Sequence, residues 1–407
     1  MLCEVCLDEL IGPILDLGFH PLCDDLMGVN EAKGAKRYHQ EIQLCTNCLT
    51  AHQLHPVRKE QLFKSTYRYR ASLTQDVLLG MKGLVSEVAK KVLIEKDTVV
   101  VDIGCNDGSL LGLFKENFGC LTIGVDPTDA IQEAGTKIDV PIQNYFDADV
   151  ASGIISEYGT PDVVTFTNVF AHIENFTGLV EAVRLLIGDA TLLVIENHNL
   201  SAILADSQFD TFYHEHPRTY SAKSFSYIAN RLGMQITSIE FPARYGGNIR
   251  VILQKSTEAD AGSTTWATSE SSVDLVEKFS NLQVYFEDWK IDSREVLNGL
   301  LSRNLVYGKG LPGRAVMLIS SLEITENEMP AIFEQPSSPK VGYYLPGSLI
   351  EIKSDLDIPL EPNSIVIVWA WHIIEEVCTY LEKMGFCGEI WTPLPKFQLY
   401  KRINTKT

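Results

Sequence analysis

The spacing of apolar positions changes several times along the chain. In SLTQDVLLGMKGLVSEVAKKVL, from Ser72 to Leu93, apolar residues recur every three or four positions, which predicts an amphipathic helix. It leads into TVVVDIGCNDGSLLGLFKENF, read as a buried strand, a glycine turn and a second helix, and LTIGVD follows as another strand. The strand-like runs DVVTFTN and ATLLVIEN then alternate with the helical FTGLVEAVRLLIG. Strands alternating with helices predict a doubly wound α/β domain over about residues 70–245. The first sixty residues differ: they are rich in Cys, His and turn residues, with only short strand-like runs such as GPILDLG and YHQEIQLC, and predict a small module that needs a staple.

After RYGGNIRVILQ comes a polar stretch from Ser256 to Ser272, expected to be a linker, and then a long helical pattern through VDLVEKFSNLQVYFEDWKIDSREVLNGLL. The runs NLVYGKG, AVMLIS and SIVIVWAW, separated by Gly/Pro turns and closed by the helical HIIEEVCTYLEKMG, predict a second α/β unit. The expected division is therefore 1–66, 67–255 and 256–407.

Composition narrows the function classes. With 407 residues, 45% of them hydrophobic, the chain can bury more than one core. A net charge of −19 argues against a nucleic acid polymer as partner, because such affinity comes from Lys and Arg neutralising phosphates. A small anionic ligand stays open, since a few arginines and backbone amides suffice to hold it. No apolar run is long enough to span a bilayer, and Cys3 stands too near Met1 for a leader, so a cytoplasmic protein without a membrane partner is expected.

Cys3 and Cys6 form one CxxC and Cys45 and Cys48 another. Two such knuckles supply the tetrahedral sulfur set that zinc prefers and leave no coordination position open, so a structural Zn2+ is expected rather than a catalytic one. His20, His39, His52 and His55 lie in the same segment and could replace a thiolate. Cys23 is expected to be a free thiol, and no chemistry is assigned to Cys105, Cys120, Cys378 or Cys387.

In VVVDIGCNDGSLL, the residues Asp102, Gly104, Asn106 and Gly108 sit where the strand passes into the helix. A dinucleotide fingerprint would place a glycine at Asn106 to admit a pyrophosphate. Here that place is polar and an acid precedes the first glycine, which suits a cationic or amino-acid-bearing ligand. Asp126, ending the next strand, is placed to accept from ribose hydroxyls. Together these positions resemble the S-adenosylmethionine site of class I methyltransferases, with a sugar-nucleotide or NAD fold as the alternative.

The double CxxC, DIGCNDGSLL, NVFAHIEN, FDTFYHEHPRTYS, RYGGNIRV and YYLPG…IVIVWAW, in that order, resemble the sugar C-methyltransferase family that acts on nucleotide-linked 4-keto-deoxyhexoses. The resemblance spans nearly the whole chain. It implies a zinc-binding N-terminal domain, a central Rossmann-like class I methyltransferase domain and a C-terminal α/β domain that helps hold the sugar nucleotide. It places the general base at His216, with Tyr213 and Glu215 beside it, a second active-site histidine at His172 and a substrate-side tyrosine at Tyr67, with Tyr69 as the alternate register. Asn168, opening NVFAHIEN, goes with the cofactor residues, and His214 fills the variable slot of YxEH. The C-terminal match is looser: Leu311, Pro312 and Arg314 depart from the family's small-residue turn, and His372 stands where an Asn is common.

Methylating a carbon beside a ketone needs a base of suitable pKa to remove the α-proton and donors such as Tyr213 or His172 at the enolate oxygen. The chain is therefore expected to be an S-adenosylmethionine-dependent C-methyltransferase that methylates the carbon next to the ketone, the 3-position, of a nucleotide-diphosphate 4-keto-6-deoxyhexose in branched-chain sugar biosynthesis. Candidate substrate contacts are Arg244, Asn248, Lys309 and Arg314, with Arg218 and Arg250 as further diphosphate candidates. The alternatives are O- or N-methylation of a sugar, or a zinc-stapled sugar-nucleotide binding protein without turnover. A metal held by YHEH would need His214 and His216, two apart, to converge in an extended segment. Monomer and homodimer both remain open.

Overall fold

In the computed structural model the described residues, 1–28, 30, 34–255 and 272–404, form three sheets. The expected linker lies outside them, apart from Ser272, which opens the helix Ser272–Leu301. In the N-terminal sheet, β1 (Ile14–Pro21), β2 (Arg37–Leu44) and β3 (Ala51–Gln53) run antiparallel. Its fourth strand comes from residues 218–219, far along the chain.

The central sheet contains β4 (Val99–Ile103), β5 (Leu121–Val125), β6 (Val140–Ile142), β7 (Val163–Thr167) and β8 (Leu192–His198), all parallel. The short β9 (Arg218–Thr219) leaves for the N-terminal sheet, and β10 (Gln235–Glu240) and β11 (Asn248–Gln254) then close the central one antiparallel beside β8. The order is β10-β11-β8-β7-β4-β5-β6. All five residues of β4 are buried because helices cover both faces. Val100 packs with the helices Gln75–Lys91 and Ser109–Phe118, while Val99, Val101 and Ile103 pack with Ala148–Tyr158, Phe176–Leu186 and Ala222–Leu232. The neighbours β5 and β7 lie on opposite sides of β4, so a crevice opens at the carboxyl ends of these strands.

The third sheet takes β12 (Val306–Lys309), β13 (Ala331–Glu334), β14 (Glu351–Ser354), β15 (Ser364–Val368), β16 (Gly388–Thr392) and β17 (Gln398–Ile403), in the order β14-β13-β12-β15-β16-β17. Its strands are parallel except β17. AVMLIS, between β12 and β13, belongs to the helix Gly313–Ser321. Phe209 and Phe212 enter this sheet's core, where Phe209 meets Phe286 and Trp289 at ring distances of 4.8 and 4.9 Å. The segment leading into YHEH is thereby anchored in the C-terminal core.

Candidate active site

At the end of β4 the backbone turns left-handed three times, at Gly104 (φ +73°), Asn106 (φ +50°) and Gly108 (φ +71°). Glycine is required at the first: a Cβ there would stand 2.3 Å from a Val169 methyl. Asn106 tolerates its conformation and uses it, since its side chain accepts from the Ala71 amide (3.0 Å) and donates to the Tyr69 carbonyl (3.1 Å). That ties the segment before the Gln75–Lys91 helix to the turn. The Asp126 carboxylate accepts from the Asn106 amide (2.9 Å) and from Thr128, amide and hydroxyl (2.8 and 2.6 Å). Asp102 accepts from the Thr165 hydroxyl at 2.6 Å, and its burial pushes its pKa up to about 7. Asp102, Gly104, Asn106, Asp126 and Asn168 all line one cleft of about 260 Å³. Gly108 stands behind it, with its missing Cβ facing Ala134 and Ile138. Two carboxylates and a bare backbone floor fit a ligand that joins a ribose to a cationic amino acid.

The same cleft receives the YHEH loop. His216 is buried, and its Nδ1 donates to the Thr211 carbonyl at 2.8 Å, which leaves the Nε2 lone pair free. Burial brings its pKa down to about 4. Around it stand Tyr213, His172 and His198, at ring distances of 4.4, 4.8 and 5.1 Å. His172 is held well below the usual imidazole pKa, by burial first and then by His216, so these rings are neutral. Glu215 accepts from the Tyr67 hydroxyl at 3.0 Å and the Cys23 thiol at 2.7 Å, and burial raises it to about 7. His214 turns away from the cleft, with its Nε2 3.2 Å from the Tyr38 carbonyl. His214 and His216 therefore share no metal, and among the described residues YHEH is not one of the clusters spaced to bind one.

Of the other candidates, Tyr67, Tyr69, Arg244 and Arg314 line the cleft. Arg314 is already paired there, 3.5 Å from Asp210 and donating to Thr211 and to the Tyr245 carbonyl. Arg244 reaches Glu196 at 3.1 Å. Asn248 does not line the cleft; its amide donates to Glu196 (3.0 Å) and Asn168 (3.2 Å). Lys309 is also outside, 2.9 Å from Asp355 and buried in the C-terminal sheet, because its position on the inner strand β12 directs it to that acid. Arg250 is spent on Glu196 and Glu240, and Arg218 on Glu4 and the carbonyls of Ile173 and Glu174.

Residues not singled out as site residues above complete the cleft. His198 lines it from the carboxyl end of β8, a position in an α/β sheet where ligands bind, and that was the signal available in ENHN. Tyr245 adopts a left-handed conformation (φ +53°) inside RYGGN and meets the Tyr69 hydroxyl at 3.1 Å, a strained backbone that marks the spot. Its ring lies 5.7 Å from His198 and 6.0 Å from His372. Cys23 joins the site only through folding, and its sequence neighbourhood carries no sign of it.

The N-terminal sulfurs gather as their spacing predicts: Cys3, Cys6, Cys45 and Cys48 form one tetrad, with Cys3–Cys48 and Cys6–Cys45 sulfurs 3.5 and 3.7 Å apart. Thiolates tetrahedrally arranged about zinc at ~2.3 Å would be about 3.8 Å apart, so the tetrad fits that ion. His52 lies beside it, its Nε2 3.2 Å from the Cys3 sulfur. A second group, His39, Glu41 and His55, is also spaced to hold an ion, with His39 Nε2 2.9 Å from an Asp16 oxygen and His55 Nε2 3.0 Å from a Glu41 oxygen.

Known proteins agree with this arrangement. Residues 3–63 match the family model of a zinc binding domain, 76–239 that of a methyltransferase domain and 243–395 that of a C-methyltransferase C-terminal domain. The C-methyltransferase NovU of Streptomyces niveus is 25% identical over 99% of this chain and 97% of its own. Among solved structures, magnesium protoporphyrin IX methyltransferase (ChlM) from Synechocystis PCC 6803 with bound SAM covers 44% of this chain and 80% of its own at 15% identity, TM-score 0.33. A SAM dependent methyltransferase from Archaeoglobus fulgidus covers 43% and 94% at 16% identity, TM-score 0.34. The three matched domains and the cleft at the strand ends define an S-adenosylmethionine-dependent methyltransferase of the class I fold, with a zinc-binding domain in front. The three models match in this order along the chain, and the similarity to NovU runs over nearly the whole of both chains, so the chain resembles the C-methyltransferases throughout its length. Among the described residues no helix is long and apolar enough to cross a membrane.

Proposed function

We propose that the chain methylates the carbon next to the ketone of a nucleotide-diphosphate 4-keto-6-deoxyhexose, at its 3-position, in making a branched-chain sugar. The observation that carries this is a neutral imidazole, His216, whose tautomer is fixed by Thr211 and whose free nitrogen shares the cleft with the Gly104 turn. S-adenosylmethionine, when bound, supplies an electrophilic methyl group that needs no further activation. Asp126 would hold its ribose hydroxyls, and Asp102, Gly104, Asn106 and Asn168 the rest of it.

What remains for the protein is to make carbon nucleophilic. His216 Nε2 takes the α-proton, and the electrons of the C–H bond pass into an enolate whose oxygen accepts from Tyr213 or a His172 N–H. Glu215, held by Tyr67 and Cys23, supports the base. Arg314 and Arg244 line the cleft and are the diphosphate contacts in this reading, and Asn248 and Glu196 brace Arg244 and Asn168 from behind. The zinc tetrad is closed and stands apart from the reacting groups, so its part is structural.

The test is a panel of 4-keto-6-deoxyhexose nucleotides with S-adenosylmethionine, read by product mass and proton NMR. A new methyl on a carbon beside the ketone, together with solvent deuterium entering that carbon when the methyl donor is withheld, is the expected result. A methyl on oxygen or nitrogen, with no exchange above background, would sink it.

A further inference from the structure

Two cavities meet at the YHEH loop. The main cleft and a second, polar hollow of about 90 Å³ have Asp24, Tyr67 and Glu215 in common as a dividing wall. The outer side of the hollow is made by Gln61, Lys64 and Thr66, all exposed, so it opens to solvent. A space of that size with polar walls holds several waters, each with partners. Glu215 spans the wall: one carboxylate oxygen accepts from Cys23 (2.7 Å) and the other from Tyr67 (3.0 Å). Tyr213 reaches the same point, for a Cβ on Gly313 would lie 2.9 Å from its ring and 3.3 Å from the Cys23 sulfur. Asp24 faces Glu215 from the N-terminal module while accepting from the Arg68 amide at 2.8 Å, and Lys340 faces it from the C-terminal side, donating to the Leu311 carbonyl at 2.6 Å.

His216 Nδ1 is committed to Thr211, so a proton taken up at Nε2 must leave from Nε2. Substrate and methyl donor would then fill the cleft between that nitrogen and its mouth.

We propose that Glu215, with Tyr67 beside it, is the outlet through which the proton removed from the substrate carbon passes into the second hollow and so to bulk water. This rests on the carbon-methylation reading above. The C–H bond breaks with its electrons left on carbon, and the proton bonds to His216 Nε2. It is handed to the Glu215 carboxylate and from there to a water in the hollow. Imidazole and carboxylate return to their starting forms, and one proton is released for each methyl transferred. Glu215 thus acts through His216, as a relay.

The experiment plugs the hollow from its exposed rim, away from the cleft, with Thr66→Trp and, separately, Lys64→Trp in the full zinc-loaded chain. The probe is the keto-sugar nucleotide found active in the panel, deuterated at the methylated carbon. In both variants single-turnover methyl transfer should stay within about twofold of the parent, while steady-state turnover drops about tenfold and leaves a burst of one product per site. Deuterium loss to solvent, with S-adenosylhomocysteine in place of the donor, should slow by about tenfold as well. Unchanged wash-out and turnover in both variants overturn the outlet, and so does loss of single-turnover transfer, which would put the hollow's effect on the chemistry itself. If the parent neither exchanges nor methylates carbon, the proposed reaction fails first, a result distinct from either.

Discussion

The Nδ1 of His216 donates to the Thr211 carbonyl at 2.8 Å, and this bond decides which nitrogen of the ring can accept a proton. Thr211 in turn takes a bond from Arg314, and Arg314 is paired with Asp210. The tautomer of a residue in the YHEH loop is thus set by a helix of the C-terminal domain, Gly313–Ser321, which holds the segment Phe209–Thr211 in place.

Replacing His216 by Asn keeps a bond to Thr211 within reach but removes the proposed base. Methyl transfer to carbon should fall about 10²- to 10⁴-fold. S-adenosylmethionine affinity, measured by calorimetry, should move less than about twofold, because the Gly104 turn and Asp126 are untouched. An unaltered rate would remove His216 from the base role.

The pH profile separates His216 from Glu215. Burial lowers the His216 pKa to about 4, so its base form is already present well below neutrality. Burial raises Glu215 to about 7, so its carboxylate is protonated below that and is lost to the reaction as pH falls through it. Then kcat, which includes release of the proton, should climb between about pH 6 and 8 and level off above, and in Glu215→Gln the acid limb should shift down toward about 4. A limb near 7 that survives this substitution would assign it elsewhere.

Glu196 carries a prediction about stability. It is fully buried on β8 and accepts from Arg250 (2.8 Å), Asn248 (3.0 Å) and Arg244 (3.1 Å). Glu196→Ala leaves two buried guanidinium groups short of a partner and should cost about 3–5 kcal/mol, seen as a fall in the urea midpoint. The double change Glu196→Leu with Arg250→Leu should recover part of it, since only Arg244 is then left short of its partner.

The sequence made some of this legible and hid the rest for physical reasons. Short-range patterns survive into the structure: the β4 strand, the left-handed turn after it and the sulfur tetrad all depend on neighbours a few residues apart, or on a ligand set with its own spacing rule. AVMLIS was open to either period, because Ala315, Val316, Met317, Leu318 and Ile319 are all buried and a helix buried all round has no polar stripe. Contacts between distant segments were not readable. Cys23 meets Glu215 across 192 residues, and Lys309 turned out to face Asp355 because its strand lies inside a sheet whose order no local pattern reveals.

Metal removal should reach the cleft as well as the N-terminal module. His52 of β3 pairs with Arg218 of β9, two residues beyond His216. The Gln53 amide donates to the Pro217 carbonyl at 2.9 Å, and its side chain donates to the Tyr213 carbonyl at 2.8 Å, so the module holds YHEH at both ends. The leucine following the second cysteine pair, Leu49, packs with Phe209 and Phe212 in the same core. Without zinc the four thiols no longer anchor β3, and that grip loosens. Metal analysis should find about one zinc per chain. Chelation, or Cys45→Ser, should lower the melting temperature and cut methyl transfer by about tenfold or more, more than it weakens S-adenosylmethionine binding, because the cofactor turn is braced by Tyr69 and Ala71 instead. Transfer and cofactor affinity falling together would place zinc's effect on the whole fold, and an active, stable apo-protein would leave the sulfur tetrad without the structural role assigned to it.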